Sequence, residues 1–229
     1  MGCLTGCAAE LEGGELTKLY APYYEEDLET IWFTDTEKSL ILDMSANTYL
    51  KTLLLETEYY EYEYDPSQSE TGKANYTLIL QDLELEIYAG GVVRFVYADG
   101  GEEEASMAVV LKNEFAYLES MIDGGEVAFD EYTAEQTIKV DNSVNTGLVI
   151  AEKESFLESL QELRFVKLKD KEHYQTGEVA YTVQIDDDTI LVYENFASVN
   201  GALYMLSQGE FDFLKDLPFG FSSENLPWL

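Results

Sequence analysis

The 229-residue chain carries 46 acidic against 13 basic side chains, a formal net charge of −33. That balance excludes direct binding to a phosphate backbone, which needs clustered Lys and Arg to displace counterions, so no nucleic acid is expected as a ligand. A basic protein or peptide, or a divalent cation, suits the charge better, and 46% hydrophobic with 13% aromatic residues is enough to bury a core.

In chain order, Leu4-Thr5-Gly6-Cys7 comes first. It resembles the lipobox of bacterial lipoproteins: a leucine, two small residues and the cysteine that receives the lipid. The resemblance implies a lipid on Cys7, an acidic tether over residues 8–15, and a charged, apolar leader upstream of Met1. The chain would then be extracytoplasmic and anchored to a bacterial membrane; with Met1 as the true start it would be cytoplasmic. Cys3 and Cys7 are the two cysteines, so neither an internal disulfide nor a thiolate metal site is expected in the remainder. No run approaches the ~18 apolar residues of a membrane-spanning helix.

Residues 16–28 hold Pro22 in an apolar and acidic stretch and read as a lead-in. Thr30 to Phe33 and Leu40 to Leu42 predict a hairpin around Asp35-Thr36-Glu37-Lys38. Ser45 is the expected cap of a helix carrying Tyr49, Leu50, Leu53 and Leu54. Glu58 to Tyr64 predicts a strand with Tyr60, Tyr62 and Tyr64 on one face and Glu61 and Glu63 on the other. Strands follow at Tyr76 to Leu80, Leu83 to Tyr88, Val92 to Tyr97 and Met107 to Leu111, then a helix capped by Asn113 and ended by Gly124-Gly125. Val127 to Glu135 reads as a linker.

Much of this recurs. Thr30-Ile31 returns as Thr137-Ile138, 107 positions on; Thr71-Gly72 and Tyr76-Thr77 return as Thr176-Gly177 and Tyr181-Thr182 at 105; Phe115 to Leu118 returns as Phe211 to Leu214 at 96. Collinear matches of this kind argue for duplication. The second copy predicts strands at Thr137 to Val140, Leu148 to Ile150, Phe165 to Lys169, Val179 to Ile185, Thr189 to Glu194 and Leu203 to Leu206. Its helices are expected at Lys153 to Leu163 and at Glu210 to Leu217, the latter stopped by Pro218. Phe219, Phe221, Leu226 and Trp228 make the tail apolar enough to pack back.

The expected fold is therefore α+β, two tandem copies of an antiparallel sheet, each covered by helices. Its parts are a tether and lead-in at 1–28, a first repeat at 29–125, a linker and second repeat at 126–217, and a tail at 218–229. In outline this resembles tandem-repeat secreted inhibitor modules.

Candidate chemistry is sparse. His173 is the single histidine and lies in a polar loop, which removes imidazole-based triads and histidine metal sites from consideration. Asp186-Asp187-Asp188 and Glu102-Glu103-Glu104 lack the spacing of a calcium loop and read as solvated turns. Gly90-Gly91 has no Lys-Ser/Thr after it and reads as a turn; Asn75-Tyr76-Thr77 matches a glycosylation tripeptide inside a strand. No catalytic residue, metal or cofactor is assigned. One contrast between the copies marks candidate interaction residues. Tyr60 and Tyr62 align with Val166 and Leu168, while Glu61, Glu63 and Asp65 become Lys167, Lys169 and Lys171. A protected sheet edge explains such lysines, and so does a basic ridge that meets an acidic face or an anionic envelope component. The function expected is a non-enzymatic extracytoplasmic lipoprotein that binds a protein or peptide. The alternatives are a carboxylate-dependent cell-envelope hydrolase and an intracellular acidic mimic.

Overall fold

A computed structural model describes residues 17–62, 73–97, 106–110, 115–143, 146, 148–215 and 219–220. The chain forms two compact units, divided between Ser120 and Met121.

The first unit is built on an antiparallel sheet of eight strands: β1 (Lys18–Leu19), β2 (Ile31–Asp35), β3 (Leu40–Asp43), β4 (Tyr59–Glu61), β5 (Tyr76–Leu80), β6 (Leu83–Ile87), β7 (Val92–Tyr97) and β8 (Ser106–Val109). Their order across the sheet is β1-β4-β8-β7-β6-β5-β2-β3. Period-two alternation places Ile31 and Phe33, Leu78 and Leu80, and Leu83, Leu85 and Ile87 inside, with Trp32, Ile79 and Glu84 on the other face. Between β3 and β4, α1 (Thr48–Glu56) buries Leu50 and Leu54; its cap is Asn47, whose Oδ1 accepts the Leu50 N–H at 2.9 Å. Ser45 is not the cap, because its hydroxyl oxygen accepts the Ile31 N–H at 3.0 Å instead. A second helix, α2 (Ala116–Ser120), is five residues long.

The second unit repeats this plan with nine strands: β9 (Ile122–Val127), β10 (Ile138–Asn142), β11 (Leu148–Ile150), β12 (Arg164–Leu168), β13 (Tyr181–Ile185), β14 (Asp188–Val192), β15 (Phe196–Val199), β16 (Ala202–Gln208) and β17 (Phe219–Gly220). Their order is β9-β12-β16-β15-β14-β13-β10-β11-β17, which matches the first sheet strand for strand apart from the added β17. Register agrees as well. Ile31 faces Leu80 as Ile138 faces Ile185, and Tyr76 faces Ile87 as Tyr181 faces Val192. Two sheets of one strand order are consistent with tandem copies. One helix, α3 (Lys153–Glu162), buries Phe156, Leu157 and Leu160 in a core with Ile138, Val140, Phe165, Val183 and Ile185.

Strand dominates over helix more than expected. Of the predicted helix at Glu210 to Leu217, the described part, which ends at Lys215, forms a single 3-10 turn over Phe211–Leu214, and the helix expected to end at Gly124-Gly125 ends at Ser120. Those glycines lie within β9, which pairs with β12, so the segment read as a helix end and linker opens the second sheet. The lead-in likewise supplies β1, which pairs with β4. Each unit thus begins before its predicted boundary, and an aromatic after the first strand reaches the same place in both. Tyr23 packs edge-on to Tyr59 at 6.4 Å between ring centroids, and Phe129 stacks on Phe165 at 4.5 Å.

Candidate functional site

At one end of each sheet, the start of one central strand and the end of its neighbour leave a cleft that the turn after the last long strand borders. In the first unit, Tyr76, Ile87, Tyr88, Val110, Phe115 and Glu119 line it. In the second, Tyr181, Val192, Tyr193, Leu206, Phe211 and Lys215 stand at the corresponding positions. The backbone holds both in the same way: Val110 N–H donates to the Gly91 carbonyl at 3.0 Å, and Leu206 N–H to the Asn195 carbonyl at 2.9 Å. Two tyrosines and a phenylalanine therefore recur at one cleft in both copies.

The clefts differ in size and charge. The first measures about 50 Å³. Gly91 lies at φ +81° there, and a Cβ on it would stand 2.9 Å from the Val110 carbonyl oxygen, so this close approach of two backbones requires glycine. Burial pushes the Tyr76 phenol up to about 12, helped by the carboxylates of Glu119, Asp35 and Glu37, so its neutral form is favoured. Asp35 is nearly fully buried and accepts from the Lys38 N–H and Nζ, both at 2.9 Å.

The second cleft measures about 510 Å³, within the ~300–1,000 Å³ usual for ligand sites. Here Gly209, at φ +92°, turns the chain out of β16. That turn sends Phe211 into the core, 6.0 Å from Phe165 between ring centroids, and leaves Glu210 and Asp212 exposed at the rim. Glu178 and Glu194 complete the acidic border. Lys215 Nζ donates to Asp212 Oδ1 at 2.6 Å. That hydrogen bond, then the Asp212 charge, raises the Lys215 pKa, with smaller contributions from Tyr181 and Glu210.

The residues singled out by the sequence contrast lie elsewhere. Tyr59, not Tyr60, is the buried residue of β4: it is 0% exposed, whereas Tyr60 and Tyr62 are half-buried and Glu61 is exposed. The inward face is thus one residue out of the predicted register, and Glu61 shares the face of Tyr59. Glu63 and Asp65 lie outside the described residues. Glu61 faces Ala108 on β8 as Lys167 faces Tyr204 on β16, so those two positions are equivalent and the charge reverses there. Lys167 Nζ is 3.1 Å from the Asp123 carboxylate on β9. The three lysines do not extend one strand face. β12 ends at Leu168, Asp170 takes a left-handed φ of 50°, and Lys171 enters a 3-10 turn where its Nζ donates to the Gly201 carbonyl at 3.2 Å.

Other candidates take structural places. His173 ends that same turn and is half-buried. Asp186, at φ 51°, makes the β13–β14 turn and accepts the Thr137 N–H at 2.9 Å, while Asp188 accepts from Asn200 Nδ2 at 2.6 Å. Gly90 and Gly91 form the β6–β7 turn, and Tyr76 and Thr77 of the glycosylation tripeptide open β5. Glu102 to Glu104 and Cys7 lie outside the described residues. Among the described residues, no group of three His, Cys, Asp or Glu stands where it could hold a metal ion, and no helix is long and apolar enough to cross a membrane. Set against protein-family models, curated proteins and solved structures, the chain matches none.

The sequence contrast missed Tyr181, Tyr193, Glu210, Asp212 and Lys215. A signal was present: Tyr76 and Tyr181, Tyr88 and Tyr193, and Phe115 and Phe211 are repeated pairs, and both tyrosine pairs are only half-buried. A side chain that the core does not enclose yet stands in both copies points to the surface it lines.

Proposed function

We propose that this chain is a non-enzymatic binding module that holds a protein or peptide segment in the cleft of its second unit, with its two sheets arisen as tandem copies of one unit. The observation that carries the reading is the cleft that recurs at one place in both copies and opens to about 510 Å³ in the second. Apolar and aromatic floor groups, Val192, Leu206, Tyr181 and Tyr193, lie beside polar rim groups, the composition of a recognition site. The lipobox resemblance supports display outside the cytoplasm through a lipid on Cys7.

Two measurements test this. Isotope-labelled full-length protein titrated with a mixed-sequence peptide pool shows amide shifts clustered at Tyr181, Tyr193 and Leu206; scattered shifts, or none at millimolar peptide, contradict the binding reading. Expressed in bacteria behind its genomic upstream sequence, the protein incorporates labelled fatty acid and Cys7→Ser does not. Equal labelling of both contradicts lipidation at Cys7.

A further inference from the structure

We infer that the second cleft grips a peptide by a lysine or arginine side chain, and that Lys215 competes with that side chain for Asp212. The inference rests on the peptide-binding reading and says what the peptide must carry. Glu178, Glu194, Glu210 and Asp212 give the rim four carboxylates, all exposed, against the single cation of Lys215 among the lining residues. Beneath them the floor is apolar and aromatic. A Lys or Arg side chain has the matching build, an aliphatic stem for the floor and a cationic head for the rim, and tyrosine rings attract a cation over their faces.

The chain's own cation demonstrates the pairing. Lys215 bonds Asp212 at 2.6 Å, and its proton affinity is raised by Asp212 first and by Tyr181 and Glu210 after it. Both partners of that pair are about two-thirds exposed, at 66% and 64%. Exposed pairs of this kind are weak, so an incoming ammonium or guanidinium can take over the carboxylate. In the first unit Glu119 lines the cleft where Lys215 does in the second, but about 50 Å³ has room for little more than water. One copy is therefore the receptor.

The test is calorimetry on the full-length protein with blocked pentapeptides that carry Lys, Gln or Glu at the centre, and with spermidine as a free amine. The Lys peptide is expected to bind about tenfold more tightly than the Gln peptide, the Glu peptide least, and the difference to shrink as salt screens the rim. Lys215→Ala should tighten the Lys peptide by about two- to fivefold, the range for an exposed ion pair; a gain cannot come from misfolding. Glu210→Gln with Asp212→Asn should abolish the preference for Lys over Gln. Peptides that bind with no regard to charge, or a Lys215→Ala protein that binds the Lys peptide no better, overturn this inference while the peptide-binding reading stands. No binding by any peptide overturns both. Spermidine binding more tightly than every peptide overturns the peptide as the ligand.

Discussion

Tyr59 anchors the first unit. Its ring lies edge-on to Phe95 at 5.1 Å and to Tyr23 at 6.4 Å, and its hydroxyl is 2.7 Å from that of Tyr23, which in turn donates to the Leu54 carbonyl at 2.8 Å. Removing such a side chain leaves a cavity in packed surroundings, so Tyr59→Ala should cost about 3–5 kcal/mol in denaturant unfolding. Tyr59→Phe should cost about 1 kcal/mol for the lost hydrogen bond. Tyr60→Ala, half-buried on the other face, should cost less than either alanine or cavity arguments give Tyr59; if Tyr60→Ala is the costlier alanine substitution, the inward register is wrong. Tyr76 makes a second residue-scale prediction. Its phenol is raised from 10.0 to about 12, so the neutral form is favoured in the folded state. The stability this contributes is whole below the unfolded value and is lost as pH rises through the folded one. Unfolding midpoints should therefore fall between about pH 10 and 12, and more steeply than in Tyr76→Phe. Parallel midpoint curves for the two proteins would remove Tyr76 as the cause. Alternating tyrosines from Tyr60 to Tyr64 suggest an inward face by themselves, but Tyr59 and Tyr60 are adjacent and both aromatic. The sequence pattern had no means to choose between them, and the packing of Tyr59 against Tyr23 and Phe95, which are distant in the chain, decides it.

At the scale of elements, α1 depends on its first turn. Asn47 is 0% exposed, caps Leu50 and donates through Nδ2 to the Tyr117 hydroxyl at 2.9 Å, which ties α1 to α2. Loss of a cap costs ~1 kcal/mol, and the second bond adds to it, so Asn47→Ala should destabilise the first unit by about 1–2 kcal/mol in chemical denaturation. Ser45→Ala should leave the helix content unchanged by circular dichroism; a drop as large as that of Asn47→Ala would restore Ser45 as the cap. Strong periodicity made β2, β3, β5, β6, α1 and α3 legible in the sequence, because each buries one face and leaves the other to solvent. β9 was not legible: Ile122–Val127 holds two glycines and five exposed residues, the composition of a linker, and only its pairing with β12 makes it a strand. β15 carried weak β-formers, Ala197 and Ser198, yet Asn200-Gly201, with φ of 49° and 87°, joins it to β16 by the tight turn that this dipeptide favours. Phe211 and Leu214 sit three apart, a spacing that a single 3-10 turn meets as well as a helix.

Over the whole molecule, one strand order used twice has produced two sheets with different ends. The repeat was legible in the sequence because core and turn residues kept their spacing. The cleft was not, since residues scattered over 176–215 build it from two strand ends and two turns with no local motif. The two clefts differ in charge at equivalent places: Glu194 stands in the turn that Ala89 and Gly90 make in the first unit and adds to the acidic rim, while Lys215, where the first unit has Glu119, sets one cation against it. Two sheets of one strand order thus carry, at this end, a closed cleft in the first unit and an open one with an acidic rim in the second. The most direct test is a photo-crosslinking map on the full-length protein with a lysine peptide that carries a benzophenone. Adducts are expected at the second cleft, on Tyr181, Tyr193 and their neighbours within 176–215, lost on competition with unlabelled peptide. Competable adducts on the first unit, or an even scatter over both sheets, would contradict it.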